Sequence, residues 1–210
     1  MTISPSKKAK MVIQNSPFVL LVGPMLKPLS RRKMPLPKNI PCLLIDGGKD
    51  FFRGESKNVL SLGDCDSSKG PLDILLPTKK DYSDFGYALS LLPKTVKILF
   101  LEGFLGGRRD HELFNMGEIA HFLRGKKHTM SFFDNEIIAL SAGEYELKLK
   151  ATFSVAVFEE TRVTLKGKCL YQTKNKLFKP LSSLGLSNKA TGKVQIKTNK
   201  PLFIIIENSK

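Results

Sequence analysis

Three short polar runs combine the residue types that polyphosphate chemistry requires. They are Gly63-Asp64-Cys65-Asp66-Ser67, Lys80-Asp81-Tyr82-Ser83-Asp84 and Gly106-Gly107-Arg108-Arg109-Asp110-His111. Carboxylate oxygens are suitable ligands for Mg²⁺, glycines permit close backbone approach, and Lys or Arg binds phosphate oxygens. Alternate residues of an extended segment point the same way, so Asp64 and Asp66 could face one ion. Together the runs predict a magnesium-dependent site for polyphosphate chemistry.

The composition is that of a basic globular chain. Its 210 residues include 34 Lys and Arg against 19 Asp and Glu, for a net charge of +15, and 41% are hydrophobic. This charge favours anionic ligands such as nucleotides, nucleic acid or a membrane surface. A membrane span or signal peptide is not expected, because no run approaches ~20 apolar residues. Three separated cysteines without zinc spacing indicate reduced thiols in a cytoplasmic protein.

Short apolar runs in the first part of the chain are followed by glycine, proline or acidic residues. They predict buried strands at residues 18–22, 42–45, 59–62, 74–76 and 96–101. Strands that are apolar throughout are typical of a parallel sheet covered by helices. Ligands bind outside the carboxyl ends of such strands, so the dispersed acidic residues are expected to converge.

Helical spacing of apolar residues predicts two helices, one from Asp84 to Leu92 and one beginning at Asp110 and ending near Gly125. Either starting aspartate could cap free backbone N–H groups. After about residue 135 the runs become short, β-branched or aromatic, and several alternate with polar residues. The runs are 137–140, 145–149, 152–158, 163–165, 194–197 and 202–206.

We therefore predict a fold of the α/β plus all-β class. Residues 1–135 form a parallel-sheet, nucleotide-binding α/β domain, in which residues 1–15 are a flexible basic arm. Residues 136–210 form a small antiparallel β-sandwich domain.

The order of the polar runs resembles that of the thiamine pyrophosphokinase (thiamin diphosphokinase) family. That family carries Asp-Gly-Gly, Gly-Asp-Phe-Asp-Ser, Lys-Asp-x-Thr-Asp and Gly-Gly-Arg-x-Asp-His runs in this order. The first is Asp46-Gly47-Gly48 here, and the other three are the runs described above. A late Ser-Asn signature matches Ser187-Asn188, so the resemblance extends from about Phe18 to Ile206.

The resemblance implies a cytoplasmic homodimer that transfers diphosphate from ATP to the hydroxyl of thiamine, releasing AMP, with active sites between subunits. It implies Mg²⁺ ligands at Asp64, Asp66 and Asp84. The remaining implied roles are catalysis for Lys80, Asp81, Arg108 and Asp110, nucleotide binding for Asp46, Gly47, Ser67, Ser83, Gly107, His111 and Asn115, and thiamine binding for Leu170, Tyr171, Ser187 and Asn188.

Some alternatives remain open. Relatives often have Trp or Tyr shortly after a Gly-Leu-Lys run, where this chain has Leu170 and then Tyr171, and it contains no Trp. The acceptor could therefore be another hydroxymethyl heterocycle, or the chain could be a non-catalytic nucleotide-binding relative. Nucleic-acid binding rests on charge alone and is not expected. Either Asp81 or Asp110 could accept the proton of the attacking hydroxyl.

Overall fold

The computed structural model describes residues 4–25, 36–52, 56–66 and 68–207. Within them the protein is a mixed β-structure with few helices. The helices are α1 (Pro5–Ile13), α2 (Gly48–Phe51), α3 (Asp84–Ser90) and α4 (Arg109–Leu123). The strands are β1 (Phe18–Val22), β2 (Cys42–Ile45), β3 (Val59–Gly63), β4 (Ile74–Leu75), β5 (Ile98–Glu102), β6 (Met130–Phe133), β7 (Ile137–Leu140), β8 (Gly143–Ala156), β9 (Thr161–Cys169), β10 (Thr173–Phe178), β11 (Asn188–Thr198) and β12 (Leu202–Ile206).

The chain divides into two compact units. The first holds the described residues up to Glu118 together with Phe133–Asn135, and the second holds Ile119–Phe132 and the described residues from Glu136 onward. The chain therefore passes between the units after residues 118, 132 and 135. The single domain boundary expected after residue 135 stays a prediction. None of the described helices is long and apolar enough to cross a membrane.

The first unit contains a parallel sheet in the order β5-β1-β2-β3-β4. Its register places Leu20 of β1 between Cys42 of β2 and Phe100 of β5. β2 is buried at every residue, and β1 at every residue after its first. Such continuous burial is expected of parallel strands covered on both faces. The strands predicted at residues 18–22 and 42–45 are confirmed with these bounds.

The N-terminal segment is a packed helix, which corrects the prediction of a flexible arm at residues 1–15. The Oγ of Ser4 caps α1 by accepting a hydrogen bond from the backbone N–H of Lys7 at 3.4 Å. Ala9 and Ile13, four residues apart on one helix face, are fully buried. A serine followed by proline is a helix-start signal, and the lysines occupy the exposed side. Residues 1–3 lie outside the described part of the chain.

The start of α3 also differs in detail from the prediction. The Oγ of Ser83, rather than the carboxylate of Asp84, caps the helix by accepting a hydrogen bond from the N–H of Gly86 at 2.9 Å. Asp84 occupies the first turn, where the positive end of the helix dipole favours an anion. The helix ends at Ser90, three residues before Pro93.

The second unit is an antiparallel ladder in the order β10-β9-β11-β8-β12-β7, with β6 beside β7. Buried and exposed residues alternate along all 11 residues of β11, and Ala190, Val194 and Ile196 join a hydrophobic core with residues of β7, β8, β9, β10 and β12. β8 pairs with β11 along residues 143–153 and with β12 along residues 153–156. A change of partner along one strand allows a ladder to fold into two layers. The predicted sandwich arrangement itself stays a prediction.

Two features of this unit were predicted incorrectly or missed. The strands predicted separately at residues 145–149 and 152–158 form the single strand β8, because pairing with β11 continues through residues 150 and 151. β6 and β10 were not predicted. β10 is polar along most of its length and is exposed except near its ends, since it is the last strand of the ladder. It therefore lacks the hydrophobic alternation that identifies half-buried strands.

The burial of α1 gives a testable stability difference. Ile13→Ala should lower the free energy of unfolding by about 2–5 kcal/mol, because it leaves a cavity beneath a packed helix. Met11→Ala, on the same helix at a position that is 59% exposed, should change it by less than about 0.5 kcal/mol. Urea denaturation followed by circular dichroism measures both. Equally small effects would show that the segment does not pack.

Candidate active site

The carboxyl ends of the parallel strands meet at one edge of the first unit's sheet. Asp46 directly follows β2, Asp64 directly follows β3, and the Gly106-Gly107 turn lies in the loop after β5. The strand order turns back between β1 and β5, because β1 leads to β2 on one side while β5 lies on the other. Ligands bind outside the carboxyl ends of strands at such a switch point. The fold thus gathers the acidic and glycine-rich loops where a ligand is expected.

Asp46 is a buried carboxylate in a left-handed backbone conformation, 8% exposed with φ of 47°. Its Oδ1 accepts a hydrogen bond from the backbone N–H of Asp64 at 3.1 Å. Gly63 makes this contact possible, because a Cβ at residue 63 would overlap the Asp46 carboxylate and the φ of Gly63 is +151°. Only glycine adopts this conformation readily. The Asp-Gly-Gly and Gly-Asp runs therefore interlock at adjacent strand ends.

Three carboxylates share a small volume. One oxygen from each of Asp46, Asp64 and Asp84 lies within 4.8 Å of the others. The Nζ of Lys80 contacts two of them, at 2.8 Å from Asp64 Oδ2 and 3.1 Å from Asp84 Oδ1. The side chain of Lys80 is 7% exposed, and those of Asp64 and Asp84 are each 13% exposed. Lys80 is therefore a shielded cation that offsets the repulsion among the carboxylates.

The environment changes the protonation equilibria of these groups. Burial, followed by the charge of Asp84, raises the pKa of Asp46 to about 7. The hydrogen bond from Lys80 lowers the pKa of Asp64. Burial alone would lower the pKa of Lys80, but hydrogen bonds to Asp64 and Asp84 raise it. Apart from its ion pair with Lys80, the buried Oδ1 of Asp84 has no hydrogen-bond partner among the described residues.

The acidic group borders a cavity of about 540 Å³ within the first unit. A volume of ~300–1,000 Å³ is typical of small-molecule sites. The charged side chains that line it are Asp46, Asp66, Lys80, Asp84 and Arg108, and the large apolar or aromatic ones are Met25, Ile45, Tyr82, Phe85 and Phe104. The cavity thus combines groups that bind metal and phosphate with flat apolar surface.

Arg108 follows the Gly106-Gly107 turn and is the most exposed cation of the cavity lining. Its Nε donates to Asp110 Oδ1 at 3.1 Å, and its Nη2 pairs with Asp110 Oδ2. The hydrogen bond from Arg108 lowers the pKa of Asp110 to about 2. The two side chains are 71% and 50% exposed, so water screens the pair and it adds little stability. Arg108 can therefore exchange this carboxylate for a phosphate at small cost.

Two acidic residues that the sequence prediction missed position the loops of the site. Asp134 Oδ1 accepts a hydrogen bond from the N–H of Gly103, just after β5, at 3.0 Å. Glu118 Oε1 accepts one from the Oγ of Ser83, at the start of α3, at 3.0 Å. Asp134 and Asn135 form a turn signature, but Gly103 is 31 residues away. The pairing therefore has no local sequence signal.

Most of the predicted catalytic and nucleotide-binding residues lie at the cavity. Those that line it are Asp46, Lys80, Ser83, Gly107, Arg108, His111 and Asn115, together with Asp66 and Asp84 from the predicted metal set. The amide of Asn115 donates to the carbonyl of Phe104 at 3.1 Å, which fixes α4 to the loop after β5.

Other predicted residues lie elsewhere or are rearranged. Asp66 was predicted as a metal ligand with Asp64 and Asp84, but Asp46 completes the close group instead. Asp66 lies beside it, with its N–H 3.3 Å from Asp64 Oδ1. The predicted catalytic, nucleotide-binding and metal residues outside the cavity lining are Asp64, which belongs to the close acidic group, Asp81 and Asp110, which are exposed, and Gly47, which is at the N-cap of α2. Ser67 lies outside the described residues.

The predicted acceptor-binding residues belong to the second unit. Leu170 is 65% exposed and Tyr171 61% exposed. Asn188 is buried and pairs with Tyr171: its Oδ1 accepts from the Tyr171 N–H at 2.9 Å, and its Nδ2 donates to the Tyr171 carbonyl at 2.7 Å. Ser187 is exposed with φ of 55°, and its N–H donates to Ser154 Oγ at 3.1 Å. Asn188 thus fixes the backbone of Tyr171, whose side chain is exposed, while acceptor binding by these residues stays a prediction.

The described residues thus form an α/β unit, with an acidic group beside a cavity at the carboxyl edge of its parallel strands, and an antiparallel unit. No protein-family model matches the sequence, and no curated protein sequence matches it. Solved structures do match it, and by this comparison the chain has the fold of the thiamine pyrophosphokinases.

Three of these structures illustrate the likeness. Thiamine pyrophosphokinase from Bacillus subtilis is 19% identical over 92% of this chain and 100% of its own, with a TM-score of 0.68. Thiamin pyrophosphokinase from Geobacillus thermodenitrificans is 21% identical over 92% and 99%, also with a TM-score of 0.68. The Candida albicans protein is 13% identical over 99% and 96%, with a TM-score of 0.67. At these identities the likeness shows the fold.

Asp46 should give the metal-free protein a distinct pH dependence. The pKa of Asp46 is about 7 in the folded protein and 3.8 in the reference state, so its ionisation opposes folding. The protonated carboxyl of Asp46 therefore favours the folded state. We expect this contribution to the free energy of unfolding to be fully present below about pH 4 and to be lost as pH rises through about 7. Asp46→Asn retains an acceptor for the Asp64 N–H and should flatten this slope. Urea denaturation in EDTA at several pH values measures it.

Glu160→Gln, at an exposed position of the second unit, is the matched control. It should preserve the slope of the unaltered protein between about pH 4 and 7. If Asp46→Asn also preserves that slope, Asp46 is ionised without cost and the charge analysis of the acidic group is wrong.

Proposed function

We propose that the protein is an ATP-dependent pyrophosphokinase that transfers diphosphate from ATP to the hydroxyl of thiamine, forming thiamine diphosphate and AMP. The observation that carries the proposal is the convergence of Asp46, Asp64 and Asp84 around Lys80, beside a cavity lined by Arg108. Catalysis of phosphoryl and diphosphoryl transfer depends mainly on positioning of the reacting groups and on cations that offset the developing negative charge. The fold shared with thiamine pyrophosphokinases supports this reaction class.

We propose Mg²⁺ as the cofactor, held by Asp46, Asp64 and Asp84, with Asp66 as a further ligand. The close group fits, because its oxygens lie within 4.8 Å of one another, near the ~4 Å that separates opposite ligands of Mg²⁺. The Oδ1 of Asp84 is buried and, apart from its ion pair with Lys80, makes no hydrogen bond with another described residue, which leaves it a lone pair for a metal ion. When bound, the ion would neutralise phosphate charge.

The chain's own side chains supply the other functions of the proposed reaction. Arg108 and Lys80 bind oxygens of the polyphosphate and align the β-phosphorus with the attacking hydroxyl. That hydroxyl must lose a proton. While Arg108 is paired with it, Asp110 has a pKa lowered to about 2 and is a weak base, so it could accept the proton only after Arg108 moves to the phosphate. Asp81 is exposed and forms no ion pair with another described residue, so it needs no such release, and we propose it as the proton acceptor.

Thiamine as the acceptor, a homodimer with active sites between subunits, and a cytoplasmic location complete the proposal. The exposed ring of Tyr171, whose backbone is held by Asn188, supports an aromatic acceptor. The chain's three cysteines, Cys42, Cys65 and Cys169, form no disulfide with one another, which supports a reducing compartment. Leu170, where relatives often carry an aromatic residue, favours a second candidate function, which is diphosphate transfer to another hydroxymethyl heterocycle.

Release of AMP tests the reaction and the acidic group together. With ATP and Mg²⁺, the protein should release AMP when thiamine is added and not without an acceptor. Asp84→Asn and Asp66→Asn should each lower this rate at least about 100-fold, because each removes charge that orders the phosphates. Glu160→Gln should retain it. Chromatography of AMP and thiamine diphosphate measures the products.

The acceptor panel separates the alternatives. AMP release with another hydroxymethyl heterocycle, and none with thiamine, would support the second candidate. If the protein binds ATP but releases no AMP with any acceptor, it is a non-catalytic nucleotide-binding relative. Full activity in Asp84→Asn would refute the role of the acidic group.

Lys80 and the proposed ion should be energetically coupled. In EDTA, Lys80→Met should lower the free energy of unfolding by about 3–5 kcal/mol, because buried carboxylates lose their counter-charge. Mg²⁺ should recover most of this loss, since the ion supplies the missing positive charge. Urea denaturation with and without Mg²⁺ measures the coupling. Lys79→Met, at the exposed neighbouring position, is the control.

The size of the Mg²⁺ effect in the two proteins decides the result. A larger stabilisation of Lys80→Met than of the unaltered protein shows that lysine and ion offset the same charges. Equal stabilisation would mean that the ion binds apart from Lys80. No stabilisation of either protein would overturn the proposed metal site.

A further inference from the structure

Tyr82 is an exposed ring held against a second ring at the cavity. The ring centroids of Tyr82 and Tyr87 are 5.5 Å apart, with 25° between their planes, in a stacked arrangement. Tyr82 is 44% exposed and lines the cavity, whereas Tyr87 is partly buried on α3. One face of Tyr82 is thus supported by a ring fixed on a helix. A planar ligand could stack on the ring without first ordering a mobile side chain.

The charged groups of the cavity lie next to this ring along the chain. Tyr82 is two residues from Lys80 and two from Asp84, which contact each other at 3.1 Å. Phe85 and Phe104, with centroids 4.3 Å apart, add buried aromatic surface to the same lining. The cavity therefore matches a ligand that carries both a polyphosphate chain and a planar heteroaromatic ring.

We propose that Tyr82 is the stacking platform for the nucleobase of the diphosphate donor and that it favours purine over pyrimidine nucleotides. This inference rests on the proposed function of the cavity. Stacking uses the face of a base, and larger rings gain more contact. The hydroxyl of Tyr82 makes no hydrogen bond with another described residue. The ring is therefore available to a ligand and is not an anchor of the fold.

The donor is a better partner for this ring than the acceptor. A nucleotide carries its base and its phosphates in one molecule, and the groups suited to phosphate, Lys80 and Arg108, line the cavity together with Tyr82. An acceptor heterocycle has no polyphosphate to hold it beside these charges before transfer. Stacking of the acceptor on Tyr82 is accordingly the opposing outcome of the test.

Calorimetric titrations with Mg²⁺ distinguish the base from the phosphates. The probes are a non-hydrolysable ATP analogue, the matching UTP analogue, inorganic tripolyphosphate and thiamine. Tyr82→Ala should weaken binding of the ATP analogue by about tenfold or more and leave tripolyphosphate binding unchanged. The preference for the ATP over the UTP analogue should shrink. Tyr82→Phe retains a ring and should bind the ATP analogue within about twofold of the unaltered protein.

Tyrosine fluorescence gives a second readout. The chain has four tyrosines and no tryptophan, so stacking of a base on Tyr82 should quench part of the protein's emission. Tyr82→Phe should lose this quench while retaining affinity. Phe114→Ala, at a ring that is 72% exposed and is not part of the cavity lining, is the control and should preserve both.

The outcomes separate this inference from the proposed function. Equal weakening of the ATP analogue and tripolyphosphate by Tyr82→Ala would overturn base stacking, while the phosphate site would stand. Loss confined to thiamine would assign the ring to the acceptor and also overturn it. If the unaltered protein binds neither tripolyphosphate nor the ATP analogue, the proposed function and this inference both fail.

Discussion

Like charges confined to a few ångströms oppose folding, and the first unit is organised around this constraint. Lys80 offsets Asp64 and Asp84 by direct contact, and Asp46 has a pKa raised to about 7. Burial and the neighbouring carboxylates therefore favour the protonated form of Asp46 more than water does. Each group is held by backbone geometry: two carboxylates follow strand ends and Asp84 is in the first turn of α3. The charges lie together because β2 and β3 are paired and α3 packs against both strands.

The same constraint explains the local backbone. The left-handed turn at Asp46 directs a carboxylate toward the neighbouring strand, and Gly63 leaves room for it. Shielding from water strengthens the interactions among these groups and makes an unpaired charge costly. The net charge of +15 adds a long-range attraction for anions. A shielded acidic group within a basic chain suits a ligand that is anionic and carries its own cation.

The sequence predicted those elements whose signals are local. β1, β2 and β12 were identified with their full bounds, because each is an apolar run flanked by turn or polar residues. The lysines of α1 are typical of a flexible basic arm and obscure its Ser-Pro helix start. The polar β10 carries no strand signal, because an exposed last strand needs no apolar alternation.

The candidate site was likewise predicted only where its signals are local in the sequence. The order of the runs pointed to Asp64, Lys80 and Asp84, which do lie together. The place of Asp46 beside them depends on the turn after β2 and on a contact across two strands. The hydrogen bond from Gly103 to Asp134 likewise joins residues that are distant in sequence. Such contacts are tertiary, and single-sequence patterns carry no information about them.

The parallel sheet of the first unit ends at β4, which among the described strands has a hydrogen-bonded neighbour on one side only. This strand is two residues long, with Ile74 buried and Leu75 69% exposed, and Pro71 and Pro77 lie on either side of it. A short edge strand with prolines nearby exposes few unpaired backbone N–H groups. Another chain therefore finds few backbone groups to pair with at this edge of the sheet. Fibril formation through β4 is not expected, even at high protein concentration.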